Sequence, residues 1–98
     1  MAPDRSDEQR RTVVRVQTGV RMEKRILLVL KALAGTLDLS LGDLLEGIVL
    51  HAFAGKAPFS AETRGKIDAL KRVYGLELTA EDSHLLREDA PLPRRRRR

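Results

Sequence analysis

Residues 12–22 read TVVRVQTGVRM, and the fold predicted for the whole chain depends on them. Side chains alternate along this stretch between an apolar face and a more polar one, which is the period-two pattern of a β-strand. The apolar face consists of Val14, Val16, Thr18, Val20 and Met22. The opposite face consists of Val13, Arg15, Gln17, Gly19 and Arg21. The alternation therefore predicts a strand with an apolar inner face and a basic outer face.

Two helices are predicted after this strand. Apolar residues recur at helical spacing over residues 23–37, at Ile26, Leu27, Leu30, Leu33, Ala34 and Leu37. Asp38 is expected to turn the chain, and Ser40 with Asp43 has the spacing of a capping box at the start of a second helix. That helix is expected to end near Gly55. Its apolar face consists of Leu41, Leu44, Leu45, Ile48, Val49, Ala52 and Phe53.

A single strand is not stable alone, because both of its edges would lack hydrogen-bond partners. No other stretch of the sequence alternates in this way. We therefore expect the strand to pair with the same strand of a second copy across a two-fold axis. The fold predicted is mostly α, with one N-terminal strand pairing with its copy in an intertwined homodimer, followed by the two helices and by two accessory C-terminal helices.

The accessory helices are predicted from capping residues and stop signals. Ser60 is expected to begin a helix that Gly75 ends, and Thr79 to cap a short helix that reaches about residue 87. Both are less apolar than the first two helices. The predicted organisation is a disordered arm (1–11), a dimerisation domain of one strand and two helices (12–55), an accessory helical extension (56–90) and a disordered basic tail (91–98).

Charge is distributed unevenly along the 98 residues, whose formal net charge is +5. The five arginines at 94–98 account for this whole excess. Residues 10–25 hold six basic residues and one acid, whereas residues 36–55 hold three acids and no Lys or Arg. A basic segment beside an acidic, apolar one predicts that the first meets a polyanion and the second builds core.

The composition argues against several classes of protein. Cysteine is absent, so disulfides and thiolate metal sites are excluded, and only His51 and His84 could act as imidazole ligands. We expect no cofactor and no metal. Neither a Gly-rich phosphate loop nor a histidine beside a nucleophile is present, so we expect no catalysis. No apolar run approaches the roughly 18 residues of a membrane span, which predicts a cytoplasmic protein without a membrane partner.

The order of elements in residues 15–53 resembles the ribbon-helix-helix family, typified by the Arc, MetJ and CopG-type repressors. This stretch, RVQTGVRMEKRILLVLKALAGTLDLSLGDLLEGIVLHAF, covers less than half of the chain. In that family the paired strands of a dimer enter the major groove of double-stranded DNA. The resemblance implies that residues 12–55 are a ribbon-helix-helix domain for DNA binding and dimerisation. It also implies a nucleoid-associated, sequence-specific transcriptional regulator, such as a repressor, that binds DNA as a homodimer or as a pair of dimers.

The resemblance also implies which residues contact DNA. Base contacts are expected from Arg15, Gln17 and Arg21, although a merely solvated strand face remains the other interpretation. Phosphate contacts are expected at the start of the second helix, because unpaired backbone N–H groups there favour an anion. Basic side chains at the start of the first helix could add further phosphate contacts. These residues are Lys24, Arg25, Ser40, Leu41 and Gly42. Gly19 departs from the family pattern, because a glycine there removes one side chain that could contact DNA.

Other functions remain open at this point. Residues 59–87 could bind a partner protein, as an antitoxin-like protein or an adaptor would, with Tyr74–Leu78 as the anchor. The tail could hold phosphates without sequence preference, in which case the chain would coat DNA non-specifically. Its residues are Arg94, Arg95, Arg96, Arg97 and Arg98. The same tail could also bind an anionic membrane surface, although no amphipathic anchor lies next to it.

Overall fold

The computed structural model describes residues 10–88, which contain three α-helices and one short 3₁₀ helix. The bounds of these elements are α1 Lys24–Thr36, α2 Leu41–Phe53, α3 Ala61–Tyr74 and the 3₁₀ helix Ala80–Asp82. The first two helices lie within one or two residues of the bounds predicted from apolar periodicity. The arm up to residue 9 and the tail from residue 89 lie outside the described residues.

A side chain caps the first turn of each α-helix. An oxygen of the residue before the helix accepts a backbone N–H that has no partner within the helix. The contacts are Ile26 N to Glu23 Oε1 at 2.9 Å, Asp43 N to Ser40 Oγ at 3.1 Å and Thr63 N to Ser60 Oγ at 3.2 Å. The helix starts predicted at Ser40 and Ser60 are therefore confirmed.

All three α-helices end in the same geometry. The residue after the last turn is left-handed, and the next N–H donates to a carbonyl five residues earlier, as in a Schellman motif. The left-handed residues are Asp38 (φ 60°), Gly55 (φ 70°) and Gly75 (φ 67°). The bonds are Leu39 N to Ala34 O, Lys56 N to His51 O and Leu76 N to Lys71 O, at 2.8 to 2.9 Å. Asp38 adopts this conformation because a short polar side chain tolerates it better than most.

The core is centred on α1, which packs against both α2 and α3. Among the described residues the buried apolar side chains are Val29, Leu33, Ala34 and Leu44. Half-buried residues from all three helices and from the loop before α3 surround Leu33, Ala34 and Leu44. They are Leu30, Leu37, Ile48, Phe59, Ile67 and Leu70. The helix α3, predicted to be accessory, therefore supplies part of the main core.

The predicted N-terminal strand is not present. Residues 10–23 have no regular secondary structure, and no strand occurs anywhere in residues 10–88. The side chains expected on the inner face are exposed, with Val14 at 90%, Val16 at 80% and Val20 at 73% of their full surface. A strand takes its hydrogen bonds from a neighbouring strand, and residues 10–88 provide none. The prediction of a ribbon-helix-helix fold with a paired N-terminal strand is therefore wrong.

The last predicted helix is also shorter than expected. The prediction ran to about residue 87, whereas the structure has the single 3₁₀ turn Ala80–Asp82. Thr79 begins this turn, and its N–H donates to Asp82 Oδ2 at 2.8 Å. His84 then takes a positive φ of 67°, which a continuing right-handed helix does not allow. Residues 83–88 are accordingly irregular.

Candidate nucleic-acid-binding segment

The basic segment, defined here as residues 10–25, runs from the first described residue into the first turn of α1. Its six basic side chains are all exposed and lie among exposed apolar ones. They are Arg10, Arg11, Arg15, Arg21, Lys24 and Arg25. The segment therefore presents positive charge along a stretch of backbone that is not helical over residues 10–23.

Arg15 does not extend into solvent but folds back onto α2. Its Nε and Nη2 each lie 2.8 Å from a different carboxylate oxygen of Glu46, which is a two-bonded fork. A second acid, Asp43, lies 3.8 Å from Nη2. The planar guanidinium matches a carboxylate in the same way that it matches a phosphate. Arg15 thus already holds an anion of its own chain.

The pKa values of both partners are shifted by this contact. The hydrogen bonds from Arg15 hold the pKa of Glu46 below its ordinary value, and Glu46 in turn raises the pKa of Arg15. Both side chains are nonetheless largely exposed. Exposed ion pairs contribute little to stability because water and salt screen them. An external anion can therefore compete for the Arg15 guanidinium at small cost.

The other predicted base contacts differ in their surroundings. Arg21 forms an ion pair with Glu88 at the far end of the described chain. Gln17 is exposed and makes no hydrogen bond to the residues that the structure describes. The structure does not gather the three predicted base-contacting residues around one point, because Arg15 and Arg21 are paired with different acids.

Two of the predicted phosphate contacts lie at the start of α1 and have different environments. Arg25 donates to Glu23 at 3.0 Å and to the carbonyl of Gly75 at 3.1 Å. This second bond links the start of α1 to the carbonyl end of α3, where a cation is favoured. Arg25 therefore has a structural partner, whereas Lys24 is exposed.

The remaining predicted phosphate contacts are Ser40, Leu41 and Gly42, at the N-terminus of α2. Ser40 Oγ accepts the Asp43 N–H, so this donor is already satisfied. The Asp43 side chain also places negative charge in the first turn. This negative charge would repel an incoming phosphate. The sequence-based assignment of a phosphate site here did not take that repulsion into account.

Sequence reasoning missed Asp43 and Glu46 as partners of the basic segment. The signal was the charge asymmetry between residues 10–25 and 36–55, which was interpreted as a division between binding and core. Opposite charges can also meet within one chain. Only the path of the segment over α2 shows that they do.

Part of α2 is apolar and uncovered. Val49, Leu50 and Phe53 form what we term the outer face of α2, and Phe53 is 83% exposed. Val49 and Phe53 belong to the predicted apolar face of this helix, and no part of residues 10–88 buries them. Of the described helices, α1 is the one that packs against α2, and it leaves these three side chains exposed.

Residues 59–87 carry exposed apolar side chains as well, at Val73, Leu85 and Leu86. By contrast, three members of the predicted anchor segment, Tyr74, Leu76 and Leu78, are half-buried. Residues available to a partner protein therefore flank the predicted anchor.

No cluster of His, Cys, Asp and Glu suited to a metal ion occurs within residues 10–88. No helix in that range is both long and apolar enough to cross a membrane. Comparison with family models, with curated proteins and with solved structures found no match to this chain. Arguments about function therefore rest on its own residues. The predicted tail contacts, Arg94 to Arg98, fall outside the described part of the chain.

Proposed function

We propose that this chain is a DNA-binding regulator of transcription and that the basic segment is its DNA-contacting element. The observation that carries the proposal is the exposure of six basic side chains on a segment whose residues 10–23 form no helix. A narrow, irregular segment can enter a groove of duplex DNA, as the N-terminal arms of several DNA-binding domains do. Basic side chains along it would neutralise phosphates and release counterions.

Sequence preference is assigned to three side chains of the segment. Arg21 and Arg15 can offer a two-bonded fork to guanine, and Gln17 can pair with adenine. Lys24 and Arg25 would contact phosphates beside them. Ser40, Leu41 and Gly42 would add a weaker contact, because the Asp43 carboxylate in the first turn of α2 opposes a phosphate there. The arginine tail at residues 94–98 would add affinity without sequence preference. A chain with this activity would be found on the nucleoid, in the cytoplasm.

The outer face of α2 supports a homodimer as the DNA-binding unit. Its apolar residues Val49, Leu50 and Phe53 lie at helical spacing and are exposed together. Clustered apolar side chains of this kind mark interaction surfaces. A second copy packed on this face would bring two basic segments to one DNA duplex, and two dimers could bind adjacent sites. The sequence recognised would then be palindromic or repeated.

The main rival function is binding of a partner protein through residues 59–87, as in an antitoxin-like protein or an adaptor. Exposure of Val73, Leu85 and Leu86 favours it. A chain cut after Gly55 cannot test this rival, because α3 contributes Ile67 and Leu70 to the core. The double substitution Val73→Ser and Leu86→Ser leaves the core intact and removes apolar surface from this region. DNA binding should survive that change if the basic segment carries it.

Selection of bound sequences from random DNA duplexes tests the proposal. The full chain should enrich a defined sequence, and Arg21→Ala should lower discrimination at one position by about 5- to 150-fold. Arg64→Ala is the matched control for loss of one charge, because Arg64 is an exposed arginine of α3 whose side chain forms no ion pair or hydrogen bond within residues 10–88.

The possible outcomes separate the three functions. Enrichment that Arg21→Ala and Gln17→Ala both leave unchanged would contradict base contact by the segment. Binding that is lost only when residues 94–98 are deleted would indicate a non-specific DNA-coating protein. A chain that enriches no sequence and binds no duplex at low salt would leave the partner-protein function as the better candidate.

A further inference from the structure

The acids that hold Arg15 occupy one side of α2, near its start. Asp43 and Glu46 are three residues apart, so their side chains lie on neighbouring positions of the helix surface. Both are exposed, and both reach the Arg15 guanidinium. Residues 36–55 contain no Lys or Arg. The cation for this acidic pair therefore comes from the basic segment.

The Arg15 contact joins two regions far apart in the chain, because Arg15 and Glu46 are separated by 31 positions. Its two hydrogen bonds, each 2.8 Å long, tie the irregular residues 10–22 to α2. The side chains around it are exposed rather than packed. Its geometry is that of a site for an anion with two oxygens, filled by the carboxylate of Glu46.

We propose that Glu46, assisted by Asp43, is an internal competitor for polyanion at Arg15. The inference rests on the proposed DNA-binding function and concerns the regulation of the same site. Without DNA, the two acids hold Arg15 on α2. Duplex DNA displaces Glu46, and either a phosphate or the guanine edge assigned to Arg15 above takes over both N–H donors of the fork. No bond other than these hydrogen bonds forms or breaks.

The competition would favour dense polyanions over isolated anions. A single phosphate offers Arg15 about the same hydrogen bonds as Glu46 already does, and it must reach Arg15 past the negative charge of Asp43. Duplex DNA presents one charge for about every 1.7 Å of helix axis, so several basic residues gain partners at once. The acidic pair thus raises the charge density that a ligand needs in order to bind.

The substitution Glu46→Gln tests this inference by removing the competing charge while keeping a side chain of similar size. Glu77→Gln is the matched control, because Glu77 is also exposed and loses the same charge without contacting Arg15. Glu46→Gln should lower the Kd for duplex DNA by about two- to fivefold relative to Glu77→Gln at one salt concentration. In an Arg15→Gln background the same substitution should give no such gain.

Equal Kd values for Glu46→Gln and Glu77→Gln would overturn the competition, as would a gain that persists without Arg15. Unchanged circular dichroism melting would show that the variants remain folded.

A second measurement on the free protein separates this inference from the proposed function. Trypsin should cleave after Arg15 faster in Glu46→Gln than in Glu77→Gln, with cleavage after Arg11 of the same molecule as the internal reference. Unchanged relative cleavage would overturn the contact itself, whatever the protein binds. Faster cleavage together with no duplex binding by any variant would overturn the DNA function and the competition, while leaving the contact in place.

Discussion

Residues 10–23 and the helices between residues 24 and 74 are both rich in apolar side chains, yet only the helices are regular structure. Val14 in the first region is 90% exposed, whereas Leu33 in α1 is 1% exposed. A helix satisfies most of its backbone hydrogen bonds internally, so it needs only one packed face. A strand needs a second strand for every one of its bonds. Apolar periodicity therefore predicts the helices correctly, but it is not enough to predict a strand in residues 10–23.

Substitution in the helical core should give the largest effect, because burial is what separates the helices from residues 10–23. Leu33→Ala removes the most deeply buried side chain and is expected to lower the free energy of unfolding by about 2–5 kcal/mol. Leu50→Ala makes the same chemical change on the exposed outer face of α2. It should be close to neutral at low protein concentration, and urea titration measures both effects. A loss for Leu50→Ala that grows with protein concentration would reveal the proposed dimer.

Two glycines, one inside α3 and one directly after it, test the explanation given for the helix ends. Gly75 has a φ of 67°, so Gly75→Ala is expected to destabilise by about 1–2 kcal/mol. Gly65 lies inside the helix, exposed, with nothing within 4 Å of an added Cβ. Gly65→Ala should therefore stabilise by about 0.5–1 kcal/mol. Thermal unfolding should therefore give a lower Tm for Gly75→Ala and a higher Tm for Gly65→Ala than for the wild type. A shift of both Tm values in the same direction would contradict this explanation.

The cap of α2 gives a smaller effect. Ser40→Ala removes the acceptor for the Asp43 N–H and should cost about 1 kcal/mol. Ser83→Ala serves as the control, because no hydrogen bond of the Ser83 side chain is found in residues 10–88. Urea midpoints that fall equally in both variants would mean that the cap hydrogen bond does not stabilise α2.

The smallest effect is the pH dependence at the junction between the two regions. The Ile26 N–H holds the pKa of Glu23 below its ordinary value of 4.5. A lowered pKa in the folded state stabilises the fold above the unfolded pKa, and this stabilisation is lost as the pH falls through the folded value. Glu23→Gln keeps an oxygen at the cap but does not titrate. Its free energy of unfolding should therefore vary less than that of the wild type between about pH 3 and pH 6, and identical slopes would refute the assignment.

Local features that predicted structure correctly all act over a few residues. Ser40 and Ser60 begin helices because each oxygen accepts an N–H three residues ahead. Gly55 and Gly75 end helices because the left-handed conformation costs glycine nothing. The predicted DNA contacts share a different weakness. Whether Arg15 or Arg21 is available depends on acids that lie 31 and 67 positions away, and no local pattern reports such distances.

The amino-acid sequence by itself determined the first three helices and the capping of α2 and α3, because helical hydrogen bonds and caps join residues close together in the chain. It also determined that residues 10–25 are basic. Only the tertiary structure decided that α3 joins the core, that Val14 and Phe53 are exposed, and that Arg15 is held by Glu46. Each of these depends on which surfaces meet in space, and burial and ion pairing have no fixed sequence separation.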